Sequence, residues 1–491
     1  MILHRYGKRW KQRVLVGLLL LLASCGLLGA TAPGSAPGAT PAPAPATSPY
    51  TLPQLRTSLL QQNIDLRKQQ QELVRSLLDV KDAQAAFWPV VELQASASYM
   101  ENPPLGPIVM SSEDLLSSFD WPAGFQPQPT GDYITLYEGM ESTLYDFGIT
   151  LQQPLFTWGK LPAAVKLYQQ VATARQLQLE SRKDELLTEL DTRITALHYL
   201  SNILGLLAEQ SELVDRLLQI VTQAADNGLL LAQDVAETKA ETLKVKLAAL
   251  EVESELQRQL LAIRKLTGVD TLETADLQHV PDEGSFSSFL EKDPQELERL
   301  ALSPQKSSLR AMEALEQVSR LAEDLARSSL YGKPDIALNV ALGYSGSRFP
   351  LVETDWYRQD DYSFTVSIGL RTTLWDGGKK LNAVRRAASS TLSAELDSQQ
   401  LHLMLTQMVR EELLKLRMAW SSIEYQDLLV QTLQERVDQQ RLLVEVGYGD
   451  EQSLIQAQIT ATNARIDREK QKLELATAYF ALRFLTQAPA F

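Results

Sequence analysis

Leu151-Gln152-Gln153-Pro154-Leu155-Phe156-Thr157-Trp158-Gly159-Lys160 and Leu370-Arg371-Thr372-Thr373-Leu374-Trp375-Asp376-Gly377-Gly378-Lys379 are two copies of one stretch. They align without a gap at an offset of 219 positions, Leu151 onto Leu370. The offset persists downstream, where Asn227-Gly228 and Gln233 fall on Val446-Gly447 and Gln452. Upstream, Pro89 and Tyr99 fall on Pro334 and Tyr344 at an offset of 245, so the first copy carries 26 extra residues between Tyr99 and Leu151. A unit of this size exceeds any solenoid repeat and reads as a duplicated domain.

Within each copy the hydrophobic period changes in the same order. A helical stretch, 51–87 or 305–331, comes first. Strict alternation follows: Val91, Leu93, Ala95, Ala97 and Tyr99 against Glu92, Gln94, Ser96 and Ser98. A second alternating run sets Tyr145, Phe147, Ile149 and Leu151 against Asp146, Gly148, Thr150 and Gln152. The later copy repeats both runs, with Ile336, Leu338, Val340, Leu342 and Tyr344, then Tyr362, Phe364, Val366, Ile368 and Leu370, on the apolar side. A soluble antiparallel sheet with one wet face gives the same alternation. Small residues on the polar side and a length of about ten residues favour the wall of a transmembrane barrel.

After each pair of strands comes a long helical run, 161–227 and 379–446, whose only proline is Pro162 near the start, where a missing N–H costs nothing. Leu186, Leu190, Ile194, Leu197, Ser201 and Leu204 step by fours and threes, as do Val409, Leu413, Leu416, Trp420 and Ile423. That spacing is a coiled-coil seam. At 1.5 Å per residue each run is on the order of 100 Å long. A turn at Gly228 or Gly447 reverses it into a returning helix of half the length, about 234–267 and 450–486. One pre-strand half and one returning half, stacked end to end, match the long partner.

The chain of 491 residues has a formal net charge of −14. Arg5, Lys8, Arg9, Lys11 and Arg13 give the first 25 residues +5 and leave −19 for the rest, which excludes a nucleic-acid partner. The basic start and the short apolar run Val14 to Ala23 read as a secretory signal rather than a membrane span. Cys25 is the only cysteine and closes Leu22-Ala23-Ser24-Cys25, which resembles a bacterial lipobox whose cysteine is acylated. Cleavage after Ala30 is the competing reading. The expected organisation is a lipoprotein signal peptide at 1–25, an Ala/Pro-rich tether at 26–49, a first repeat at 50–268, a linker at 269–302 and a second repeat at 303–487.

From about residue 50 to 487 the chain resembles the TolC-like outer-membrane efflux proteins. The resemblance rests on the order helix, strands, long helix, glycine turn and half helix, used twice. It rests too on Gln153-Pro154-Leu155-Phe156 with Gly159-Lys160, on Leu374 to Lys379, and on Asn227-Gly228-Leu229 with Asp234-Val235. It implies an α+β fold: an antiparallel α-helical coiled-coil barrel continuous with a transmembrane β-barrel of twelve strands, four from each subunit of a homotrimer. Four strands alone leave two open edges in lipid, which a bilayer does not tolerate, although strand count alone leaves other closed oligomers open. The implied partners are a periplasmic adaptor protein docking at the tip (Gly228, Leu229, Leu230, Gly447, Tyr448), an inner-membrane pump and outer-membrane lipid. In such proteins carboxylates on the second repeat's returning helix ring the periplasmic mouth; here Ser453 and Gln456 stand there. Asp234 and Glu237, one turn apart in the first repeat, are the candidate gate, or else ordinary acids of a helix start; Asp450 and Glu451 read as caps.

No catalytic constellation, cofactor motif or metal-ligand set stands out, so an enzyme is not expected. His4 lies in the signal, His279 in the linker, and His198 and His402 in helical seams. Three functions compete: an exit duct for efflux or type I secretion, a lipid-anchored periplasmic coiled coil without a barrel, and a diffusion porin. Four matched amphipathic strands weigh against the second and the helical majority against the third.

Overall fold

In the computed structural model the described residues are 50–486, apart from 105, 123, 126, 138–141, 275–276, 278–282, 331, 348 and 350–361. Signal, tether, Cys25 and His279 therefore lie outside them. The first repeat opens with α1 (Leu52–Gln62), α2 (Ile64–Ala85) and β1 (Val90–Tyr99). The extra residues hold β2 (Ile108–Ser111), α3 (Ser112–Ser117) and β3 (Tyr133–Tyr137) before β4 (Thr143–Phe156). Then come α4 (Lys160–Asp226) and α5 (Ala232–Thr267). A connecting segment carries α6 (Glu283–Phe286), a 3-10 turn (Ser287–Phe289) and α7 (Pro294–Ala301). The second repeat is α8 (Ser307–Ser328), β5 (Asp335–Gly346), β6 (Tyr362–Arg371), α9 (Lys379–Glu445) and α10 (Glu451–Thr486).

The duplication is visible in the lengths: α4 and α9 have 67 residues each, and α5 and α10 have 36 each. Each long helix is entered through a left-handed glycine, Gly159 at φ +79° and Gly378 at φ +84°. Position 377 is also left-handed and is glycine, whereas the matching Trp158 holds φ +52° against its own side chain. Its indole N–H donates to the Pro334 carbonyl at 2.9 Å, and Lys160 pairs with Asp335 at 2.8 Å. Together they tie the start of α4 to the start of β5.

The main sheet is antiparallel in the order β1-β4-β5-β6, so the two repeats join through β4 and β5. Its register aligns the alternations of all four strands. Leu93, Ile149, Leu342 and Phe364 form one cross-strand row, and Gln94, Gly148, Gly343 and Ser363 the next. One face is thus apolar and the other small and polar. β4 is longer than expected and runs through Gln153-Pro154-Leu155-Phe156, which reads as a strand exit in the sequence. The register slips between Pro154 and Phe156, a bulge that accommodates a residue with no N–H inside an inner strand.

Among the helices, α4 packs on α2 and α5 along one side and on α8 and α10 along another. The first-repeat seam is buried as expected at Leu186, Leu190, Ile194 and Leu197, against Leu59, Leu260 and Ile263. Ser201 is exposed instead, and Leu200 and Ile203 take its place, because a helix flanked on two sides buries more than one stripe.

One expectation is corrected. The helical stretch 51–87 is broken at Asn63, whose buried side chain caps α2 by accepting from the Asp65 and Leu66 N–H groups. Within the linker 269–302, the described residues Phe286, Phe289, Leu297 and Ala301 are buried with Leu413, Leu416 and Tyr479 of α9 and α10.

Candidate functional site

Two regions carry the features that a duct requires: the reversal between long and returning helices, and the sheet.

Both reversals close in the same way. Leu229 N–H donates to the Ala224 carbonyl and Gly228 N–H to that of Ala225, both at 2.9 Å. Tyr448 to Leu443 at 2.9 Å and Gly447 to Val444 at 3.1 Å repeat the pattern. This is the Schellman closure, which needs a left-handed residue, and Gly228 (φ +76°) and Gly447 (φ +81°) supply it. The residue after each glycine projects into solvent: Leu229 is 77% exposed and Tyr448 88%. Leu230 turns inward onto the cluster of Val214, Leu217, Val245 and Ile459, while Leu231 is exposed. Gly449, not singled out in the sequence, is needed for space, since a Cβ there would lie 2.9 Å from the Val444 nitrogen.

The acids near the tip have local roles. Asp234 Oδ2 accepts from the Leu231 N–H at 2.8 Å and so caps α5. Glu237 Oε1 accepts from Gln233 Nε2 at 2.9 Å. Asp450 accepts from the Ser453 hydroxyl and N–H, both at 2.7 Å, bonds that hold its carboxyl below the usual range. Glu451 opens α10. His198 lies beside Asn202, 3.4 Å away, and His402 Nδ1 beside the Ser398 carbonyl. No group of His, Cys, Asp and Glu able to hold a metal occurs among the described residues.

At the sheet, Leu93, Phe364, Val366 and Ile368 lie exposed on the apolar face of the two edge strands. Aromatic residues gather at its helix end, where Trp88, Phe156, Trp158 and Trp375 are exposed. Tyr99, Phe147, Tyr344 and Tyr362 stand toward the other end, with ring contacts between Phe147 and Tyr344 and between Tyr344 and Tyr362. An apolar band between aromatic girdles is the outside of a membrane barrel wall.

Comparison with known proteins agrees. The sequence profile described as "Outer membrane efflux protein" matches residues 55–269 and 301–487. No curated protein matches the chain. Among solved structures, the outer-membrane channel OprN superimposes with a TM-score of 0.66 at 19% identity, over 89% of this chain and 90% of that one. The CmeC outer membrane channel of Campylobacter jejuni gives 0.66 at 13% identity, over 89% and 85%. The open state of the MtrE outer membrane channel of Neisseria gonorrhoeae gives 0.64 at 14%, over 89% and 88%. These likenesses establish a shared fold, and the profile match spans both repeats with their strands, long helices and glycine turns, so the chain belongs to the outer membrane efflux protein family and is a non-enzymatic outer-membrane efflux channel.

Proposed function

We propose that three copies of this chain close into one duct, docked at its tip by a periplasmic adaptor and served by an inner-membrane pump. The observation that carries the reading is that sheet and helices end at matching open edges. Among the described residues, β1 and β6 each pair on one side only. Among the helices, α9 packs on α7, α8 and α10, and its outer face bears the exposed stripe Leu392, Leu396, Leu403, Leu414, Met418 and Tyr425. At the opposite edge α5 exposes Leu243, Leu247, Leu250 and Leu261. Two different apolar edges on one chain make a head-to-tail interface, which forms a ring when the rotation between copies closes, as the proposed trimer requires. Twelve strands then leave room for a channel.

Leu229 and Tyr448, held out by the two glycine closures, are the docking points for the adaptor. Cys25 is the acylated residue, so that the mature chain is lipid-anchored as well as inserted. Mass spectrometry of the mature N-terminus tests this: acylated Cys25 is expected, and a free N-terminus at or beyond Thr31 would refute it. Asp234 and Glu237 of three copies ring the mouth and draw cations in, in keeping with the −19 that the chain carries beyond its first 25 residues. The test is one-sided addition of a hexa-ammine cation to single channels in a planar bilayer. Asp234→Asn with Glu237→Gln should weaken its block by about tenfold or more, roughly 1.4 kcal/mol. Unchanged block would leave both acids with only their local bonds.

A further inference from the structure

Each repeat contains a place where the returning helix ends against the start of the pre-strand helix. In the first, Asn63 is 4% exposed; its Oδ1 caps α2 while its Nδ2 donates to the Leu266 carbonyl, 3.0 Å away, in the last turn of α5. In the second, Lys306 is 7% exposed at the N-cap of α8 and its ammonium donates to the Phe484 carbonyl in the last turn of α10. The two joints have one design: a buried side chain at a helix start satisfies a carbonyl orphaned at a helix end. They differ in that an amide never changes charge and an amine does.

We propose that the Lys306 joint is a proton-sensitive hinge between α8 and α10, and that the Asn63 joint is its fixed counterpart. Among the described residues, charged groups near Lys306 come from α4, α10 and α7. On α4, Asp184 accepts from the adjoining Ser307 hydroxyl at 3.0 Å and attracts Lys306, with Glu180 and Lys183 next to it. On α10, the Phe484 ring lies 5.1 Å from the ammonium, and Arg483 reaches Asp191 at 3.9 Å. On α7, Glu298 is paired with Arg410 of α9. This company does not offset burial, which pulls the Lys306 amine down from 10.5 to about 8. Opening the joint to water returns it to the ordinary lysine range. The open form thus binds more protons between about pH 8 and 10.5, and closure strengthens as pH rises through that window. Below it, charged Lys306 weighs against closure and the joint opens more readily.

Hydrogen exchange of the full chain in detergent tests this, with the first joint as internal reference. Protection of the α10 end (Arg483 to Leu485) is divided by that of the α5 end (Arg264 to Leu266), which cancels the intrinsic pH dependence of exchange. From about pH 7.5 to about pH 9.5 the ratio should rise by roughly tenfold in the native chain. It should stay flat in Lys306→Gln, which places an amide as in the first joint, and in Lys306→Met. A flat ratio in the native chain overturns the proposal, and so does a rise that survives in either variant.

Discussion

At the residue scale, a few backbone positions and buried polar atoms fix how the helices begin, end and reverse. Gly228 and Gly447 are left-handed, and a β-branched residue there is strained by about 1–2 kcal/mol per site. The variant Gly228→Val with Gly447→Val should therefore distort both tips, sharply lower export of the cargo from cells and leave the assembled complex recoverable; normal export would show that the tip is not the docking surface. Asn63→Ala removes a cap and strands the Leu266 carbonyl, so a loss of about 1–3 kcal/mol is expected, read as a lowered midpoint of thermal unfolding. The glycines are legible in the sequence because they sit at the same place in both copies. Asn63 and Lys306 are not, because what gives them meaning is a carbonyl some two hundred or nearly two hundred positions away. Trp158 is hidden for another reason: its left-handed backbone is imposed by a tertiary tie to Pro334 and not by residue type.

At the scale of elements, period gives the long helices and every strand of the main sheet but β4 almost to the residue, since strands with one apolar face and helices with a continuous seam each repeat many times over. The short elements are another matter. Helices α6 and α7 have four and eight residues, too few to show a period, and they hold together only against α9 and α10. Phe289→Ala should thus be among the most damaging changes in the connecting segment, at about 3–5 kcal/mol, even though it lies outside both repeats. A Phe289→Ala chain as stable as the native one would mean that the segment merely rests on the helices. The paired strands β2 and β3, with α3, likewise show in the sequence as extra length alone; β2 and β3 are too short to alternate recognisably.

At the scale of the molecule, the internal duplication is what made the architecture legible, because every feature could be checked against its copy. The exposed leucines of α9 and α5, and the sides of β1 and β6 left unpaired among the described residues, are the four edges that the proposed trimer would cover. The most direct test is the mass of the full-length protein extracted from membranes into mild detergent, measured by native mass spectrometry. The account predicts a single dominant species of three chains, whereas a monomer, or a closed assembly of two or four, would contradict it.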